Sequence, residues 1–144
     1  MCATIESADL VLHAGDVVSQ AALDELQAMR PTIAVLGNND GELSGELPLE
    51  WRGELGGVRI AMVHDAGARA GRCARLHRRF PDADLVVYGH SHVPDTSVGV
   101  AGQLLFNPGS PTQRRRQPVA TVGTLELADG HVLARRVIPV QLRT

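Results

Sequence analysis

The chain has 144 residues, 44% apolar and 21% charged: enough for one domain with a real core, and an ordinary composition for a globular protein. A net charge of −2 excludes general attraction to nucleic acid or to an anionic membrane surface, and no apolar run reaches the length of a bilayer span. Cys2 and Cys73 have no partner at C-x-x-C spacing, and no basic segment opens the chain, so a cytoplasmic protein with free thiols is expected.

With one Trp, one Tyr and two Phe, the core must be built from Val, Leu, Ile and Ala. Residues 9–13 read as a strand that is apolar on both faces and ends in Gly15-Asp16. Ser19 is a helix N-cap; Ala22, Leu23, Leu26 and Met29 follow at helical spacing, and Pro31 closes the helix. Residues 32–36 form the next strand, leading into Gly37-Asn38-Asn39-Asp40, and 41–49 form a loop. Residues 51–55 and 58–63 flank Gly56-Gly57, a hairpin signal, and the second of them runs into His64-Asp65. Residues 68–80 predict a second helix with arginines on its wet side, ended by Pro81. Residues 84–88 form a third buried strand, closed by Gly89-His90-Ser91-His92. Four further strands are expected at 96–100, 103–106, 119–127 and 132–139, the last pair joined at Asp129-Gly130. Strand–helix alternation followed by a run of strands predicts an α/β protein, two sheets packed together with helices outside.

In such folds ligands bind beyond the carboxyl ends of the strands. Four strand ends here deliver Asp16, Asn38, His64 and the His90-x-His92 pair. A lone Gly-Asp after a strand is usually a turn, and a lone histidine is usually a hydrogen-bonded core residue. The ordered set is what makes a metal site. A carboxylate can bridge two cations, while an amide carbonyl and neutral imidazoles complete a mixed oxygen and nitrogen shell suited to Mn²⁺, Fe²⁺ or Zn²⁺. Two such ions would clamp a phosphoryl group during displacement at phosphorus.

The order Gly15-Asp16, Gly37-Asn38, His64, Gly89-His90-Ser91-His92 and Asn107-Pro108-Gly109-Ser110 resembles the calcineurin-like metallophosphoesterases, closest to their small bacterial and archaeal phosphodiesterase branch. The resemblance implies a single domain over 1–144, a four-layer αββα sandwich of two mixed sheets flanked by helices. It implies that Asp16 bridges the ions, that Asn38, His64 and His90 complete the second ion's shell, and that His92 binds the first. Asp16, Asn38 and His90 would then be the catalytic residues, with a metal-bridging hydroxide attacking phosphorus in line. The cofactor expected is a pair of divalent ions, Mn²⁺ before Zn²⁺, Fe²⁺ or Ni²⁺, and the partner a small phosphate ester. Residues 107–110 would support the site, or form a plain Pro-Gly turn.

The chain departs from the family in three places. The family opens with a strand ending in Asp-x-His, and none precedes Asp16. Residues 1–7 resemble the tail of the helix that follows that strand, so the expectation is a chain starting downstream of it, with impaired activity, an unpaired sheet edge and a tendency to dimerise. Asn39 stands where many relatives have a His that assists the leaving group, which favours activated phosphodiesters over monoesters. Asp65 replaces a usual Gly and is expected either to orient His64 or to face solvent. Asn39 and Arg116 are the candidate substrate-binding residues; the run Arg114-Arg115-Arg116 would otherwise be a solvated loop, and the resemblance implies that one of its arginines approaches the site without saying which. His13 is expected to pack behind the ligands, and His77 and His131 to lie on the surface. The alternatives are a non-catalytic interaction scaffold on the same fold, or a single-metal binding protein.

Overall fold

The computed structural model describes residues 2–38, 40–110 and 120–140. A short helix α1 (Cys2–Ser7) leads into β1 (Val11–His13), helix α2 (Gln20–Met29) and β2 (Thr32–Ala34). Ser19 caps α2 as its sequence demands, its hydroxyl accepting the Ala22 N–H at 3.1 Å. The hairpin β3 (Glu50–Leu55) and β4 (Val58–Val63) turns at Gly56 and Gly57, both at positive φ. Helix α3 (Arg72–Arg79), β5 (Leu85–Tyr88) and β6 (Leu104–Phe106) follow, and β7 (Ala120–Ala128) pairs with β8 (His131–Val140).

Strands β1 and β2 pair in parallel. The order β3-β4-β5-β6 forms a second, mixed sheet, and β7-β8 an antiparallel ribbon. Alternation along the four-stranded sheet divides the core. Ala61, Val63, Val86, Tyr88 and Leu105 pack against Leu76 and Phe80 of the α3 region. Ile60, Met62, Leu85, Val87 and Phe106 point the other way, onto Leu12 and Ile33 of β1-β2 and Leu125, Leu127, Val132 and Val137 of the ribbon. Leu23 of α2 packs with Val17, Ala34 and Leu43 beyond that layer. The result is α3, four-stranded sheet, second β layer, α2: the expected four-layer sandwich.

Four expectations need correction. β1 is half-buried throughout, not sealed on both faces, and β2 is its one ladder partner among the described residues. β2 stops at Ala34, because Leu36 donates instead to Pro48 O at 2.7 Å. Helix α3 begins at Arg72 rather than 68: Gly71 is left-handed (φ 72), and the carbonyls of Ala66, Gly67, Ala68 and Ala70 accept from the Arg72 and Arg75 guanidiniums. Those arginines therefore hold backbone, not water. Residues 96–100 form no strand; Val98 makes one isolated bridge to Leu104, and the chain then turns through Ala101 at φ 56.

Candidate metal centre

The carboxyl ends of β1, β2, β4 and β5 carry Asp16, Asn38, His64 and His90 to one end of the second β layer and the four-stranded sheet. Gly89 N–H donates to His64 O at 3.0 Å, which joins the ends of β4 and β5. His64 is buried, and its Nδ1–H donates to Ala14 O at 2.7 Å. That bond fixes the tautomer and leaves the lone pair on Nε2. His90 Nδ1 lies 3.2 Å from this Nε2, and Asp16 Oδ2 lies 3.5 Å from it. The His64 and His90 rings meet edge to face, 5.1 Å between centroids.

These separations bear on whether a cation fits. Donors at about 2.1 Å from a metal lie about 3.0 Å apart in an octahedron and about 3.4 Å apart in a tetrahedron. The two contacts at His64 Nε2 have the length of coordination-polyhedron edges, and the oxygen-plus-imidazole donor set suits a borderline divalent ion. Among the described residues no group of three or more His, Cys, Asp or Glu side chains is arranged so that it could by itself hold a metal ion. The structure supplies two edges meeting at His64 Nε2, not an enclosed pocket. Asn38 is exposed on the loop beside Asp16, and His92 is buried two residues beyond His90. Asn39 and Arg116 lie outside the described residues.

Backbone strain marks the same place. Asp16 (φ 59), Val18 (φ 83), His90 (φ 66) and His92 (φ 60) all occupy the left-handed region. Such conformations cost a non-glycine residue about 1–3 kcal/mol and persist where a site over-determines them. Close approach explains the glycines. A Cβ on Gly15 would stand 2.4 Å from His64 Nδ1, and Gly15 itself sits at φ 100. Gly15→Ala is therefore expected to destabilise the fold by about 2 kcal/mol and to weaken Mn²⁺ binding, read by thermal melts and calorimetric titration. An alanine variant with unchanged melting and binding would contradict this packing.

Several supporting groups were not legible beforehand. Asp40 is fully buried, and its carboxylate accepts from Val18 N–H at 2.5 Å and Gly37 N–H at 2.8 Å. Its one sequence signal was its place four residues past Leu36. Asp65 does not orient His64; it is exposed and accepts the Gly67 N–H at 2.8 Å, closing its own loop. Ala14 O does the orienting. His13 is not part of the contacts at His64 Nε2. Burial holds its imidazole below the ordinary histidine range, against the opposing pull of Asp40 and Asp16. Asn107, fully buried, donates to Gly89 O and Ser91 Oγ, both at 3.2 Å, so residues 107–110 do support the His90 loop.

A second clasp closes the neck of that loop. The Tyr88 hydroxyl donates to the Asp95 carboxylate, and Arg72 Nη1 donates to the same phenol at 3.1 Å. Burial raises the Tyr88 phenol, and the hydrogen bond to Asp95 raises it further. Burial pushes the Asp95 carboxyl up, yet the bonds from Tyr88 and Ser97 and the charge of Arg72 hold it below its usual range.

The model of the calcineurin-like phosphoesterase superfamily domain matches residues 1–130, and the chain belongs to that family. The family is one of metal-dependent phosphoesterases. A probable metallophosphoesterase of Methanothermobacter thermautotrophicus is 33% identical over 109 residues, 74% of this chain and 63% of that protein. The chain thus aligns with less than two thirds of that relative's length. The crystal structure of wild-type Vps29 complexed with Zn²⁺, from Entamoeba histolytica, superposes with a TM-score of 0.76 at 22% identity, covering 96% of this chain and 86% of that one. A structure described as a novel archaeal phosphodiesterase superposes at 0.72 and 23% identity, covering 95% and 86%. Among the described residues no helix is long and apolar enough to cross a membrane.

Proposed function

We propose that the chain is a metal-dependent phosphoesterase that holds its cation at the carboxyl ends of β1, β2, β4 and β5 and hydrolyses a small phosphodiester. The observation that carries this reading is the meeting of Asp16 Oδ2 and His90 Nδ1 at His64 Nε2, with the other His64 nitrogen already committed to Ala14 O. Asp16, Asn38, His64 and His90 form one donor set, and Asp16 with His92 begins a second. A divalent cation held there supplies Lewis acidity toward a phosphoryl oxygen and acidifies the water it binds. The mixed oxygen and nitrogen donors favour Mn²⁺ before Zn²⁺, Fe²⁺ or Ni²⁺.

The chain's own residues do the rest. Asp16 faces the site with its Oδ2, and its backbone and Oδ1 abut Gly37, so the carboxylate is set by packing before any ligand arrives. Asn39, next to the donor Asn38, has no acidic proton to give a leaving alkoxide, which favours diesters whose leaving group departs unaided. Arg116 is the guanidinium assigned to a phosphoryl oxygen. Among these 144 residues, Asp16 and His92 are the two assigned to the second donor set.

The test compares bis-p-nitrophenyl phosphate with p-nitrophenyl phosphate under Mn²⁺, Zn²⁺, Fe²⁺ and Ni²⁺. Hydrolysis that Mn²⁺ stimulates, that a chelator removes and that is faster on the diester is the expected result. No hydrolysis with any of the four ions rejects the enzyme reading, and tight metal binding without it turns the reading to a binding role. A faster monoester rejects the diester preference alone.

A further inference from the structure

This inference rests on the proposal that Asp16 holds a cation. It concerns Asp40, whose carboxylate is fully buried. Oδ1 accepts from Val18, two residues past Asp16; Oδ2 accepts from Gly37, directly before Asn38. One side chain thus ties the loop after β1 to the loop after β2 through two charge-assisted bonds.

Two features of those loops require a tie. Val18 sits at φ 83, a conformation that a β-branched residue adopts only under constraint, and its side chain is half exposed, so core packing does not impose it. The constraint visible at Val18 is the bond from its amide to Asp40. The loops also touch: a Cβ on Gly37 would lie 2.3 Å from the Asp16 amide nitrogen and 2.5 Å from Asp16 Oδ1. A loop free to drift by an ångström would carry the Asp16 carboxylate away from His64 Nε2.

We propose that Asp40 is the positioning residue of the centre: its carboxylate imposes the left-handed Val18 and fixes the spacing of the Asp16 and Asn38 loops, and so sets cation affinity without touching the cation. The amide of Val18 and the amide of Gly37 face a single buried acceptor group, and a neutral isostere satisfies only one of them while turning an N–H₂ toward the other.

The readout is Mn²⁺ binding to the full chain, measured by calorimetry, with thermal melts alongside. Asp40→Asn is expected to weaken Mn²⁺ binding by about tenfold or more, the range typical of groups that orient metal ligands. Val18→Gly is the discriminating arm, because glycine takes the left-handed conformation without strain. Added to Asp40→Asn, it is expected to recover about threefold or more of the lost affinity. A merely structural Asp40 would lower the melting temperature and leave Mn²⁺ affinity unmoved. Wild-type affinity in Asp40→Asn, or a loss that Val18→Gly does not touch, overturns the proposal. Amide hydrogen exchange of the unsubstituted chain gives a second test that needs no Asp40 variant. The Val18 and Gly37 amides are expected to be protected, and exchange at the rate of an open loop overturns the tie. A wild-type chain that binds no Mn²⁺ at all sinks the metal-centre reading instead, and the exchange measurement still judges the tie.

Discussion

His64→Ala is expected to abolish metal-stimulated phosphodiester hydrolysis. The imidazole would be the pivot of the proposed centre: Nε2 lies 3.5 Å from Asp16 Oδ2 and 3.2 Å from His90 Nδ1, while Nδ1–H donates to Ala14 O. Its ring is buried and stands edge to face with His90. Alanine removes one donor and the reference point for two others. Lewis-acid stabilisation is worth several kcal/mol and each 1.36 kcal/mol is a factor of ten, so the loss should reach about a thousandfold. Calorimetry should show Mn²⁺ binding lost in parallel. His77→Ala and His131→Ala are the controls. Both residues line a cavity with Val58, Arg59, Asp84 and Leu104, at the amino ends of β4, β5 and β6, opposite the centre. Their substitution is expected to leave hydrolysis unchanged. A His64 variant that retains metal-stimulated activity would contradict the placement of the site.

The strand ends were legible because their physics is local. Leu85–Tyr88 is a continuous apolar run and all four residues are buried. Gly56-Gly57 supplies the turn that a two-residue hairpin needs, and Ser19 supplies the cap that α2 needs. What lay outside the sequence is tertiary. Residues 68–71 carry helix-forming alanines, yet Arg75 of the next helix takes up the carbonyls of Ala68 and Ala70, and Gly71 breaks the run. Asp40 reads as a solvated carboxylate in a Gly- and Asn-rich turn; its burial exists only because two loops meet there. The left-handed backbone at Asp16, His90 and His92 leaves no mark either, since none of them is glycine. The strand ends that carry Asp16, His64 and His90 could be read in the sequence, whereas the backbone that aims those side chains could not.

Asn107→Ala is the substitution expected to damage stability and the centre together. Asn107 is fully buried at the end of β6. Its Nδ2 donates to Gly89 O and Ser91 Oγ, both at 3.2 Å, and its Oδ1 accepts the Gly109 N–H at 3.0 Å. Its backbone exchanges two bonds of 2.9 Å with Asp95, the residue clasped by Tyr88. Alanine keeps the backbone pair but takes the acceptor from the half-buried Gly109 N–H and leaves Gly89 O and Ser91 Oγ with only the Ser91 and Val93 amides as donors. Three lost hydrogen bonds at about 1 kcal/mol each make a net loss of about 3 kcal/mol, a fall of about 10 °C in melting temperature for a domain of this size. The loop should respond as well. His90 and His92 hold left-handed conformations that relax when the bonds to Gly89 O and Ser91 Oγ go, and the imidazoles then leave their places. Mn²⁺-stimulated hydrolysis, assayed well below the variant's melting point, is expected to fall by about tenfold or more. Asn107→Asp separates the two effects. It keeps the acceptor for Gly109 and puts a carboxylate oxygen against Gly89 O, so it should impair the loop at least as severely as alanine. A carboxylate tolerated there with normal activity would mean that Asn107 only fills space.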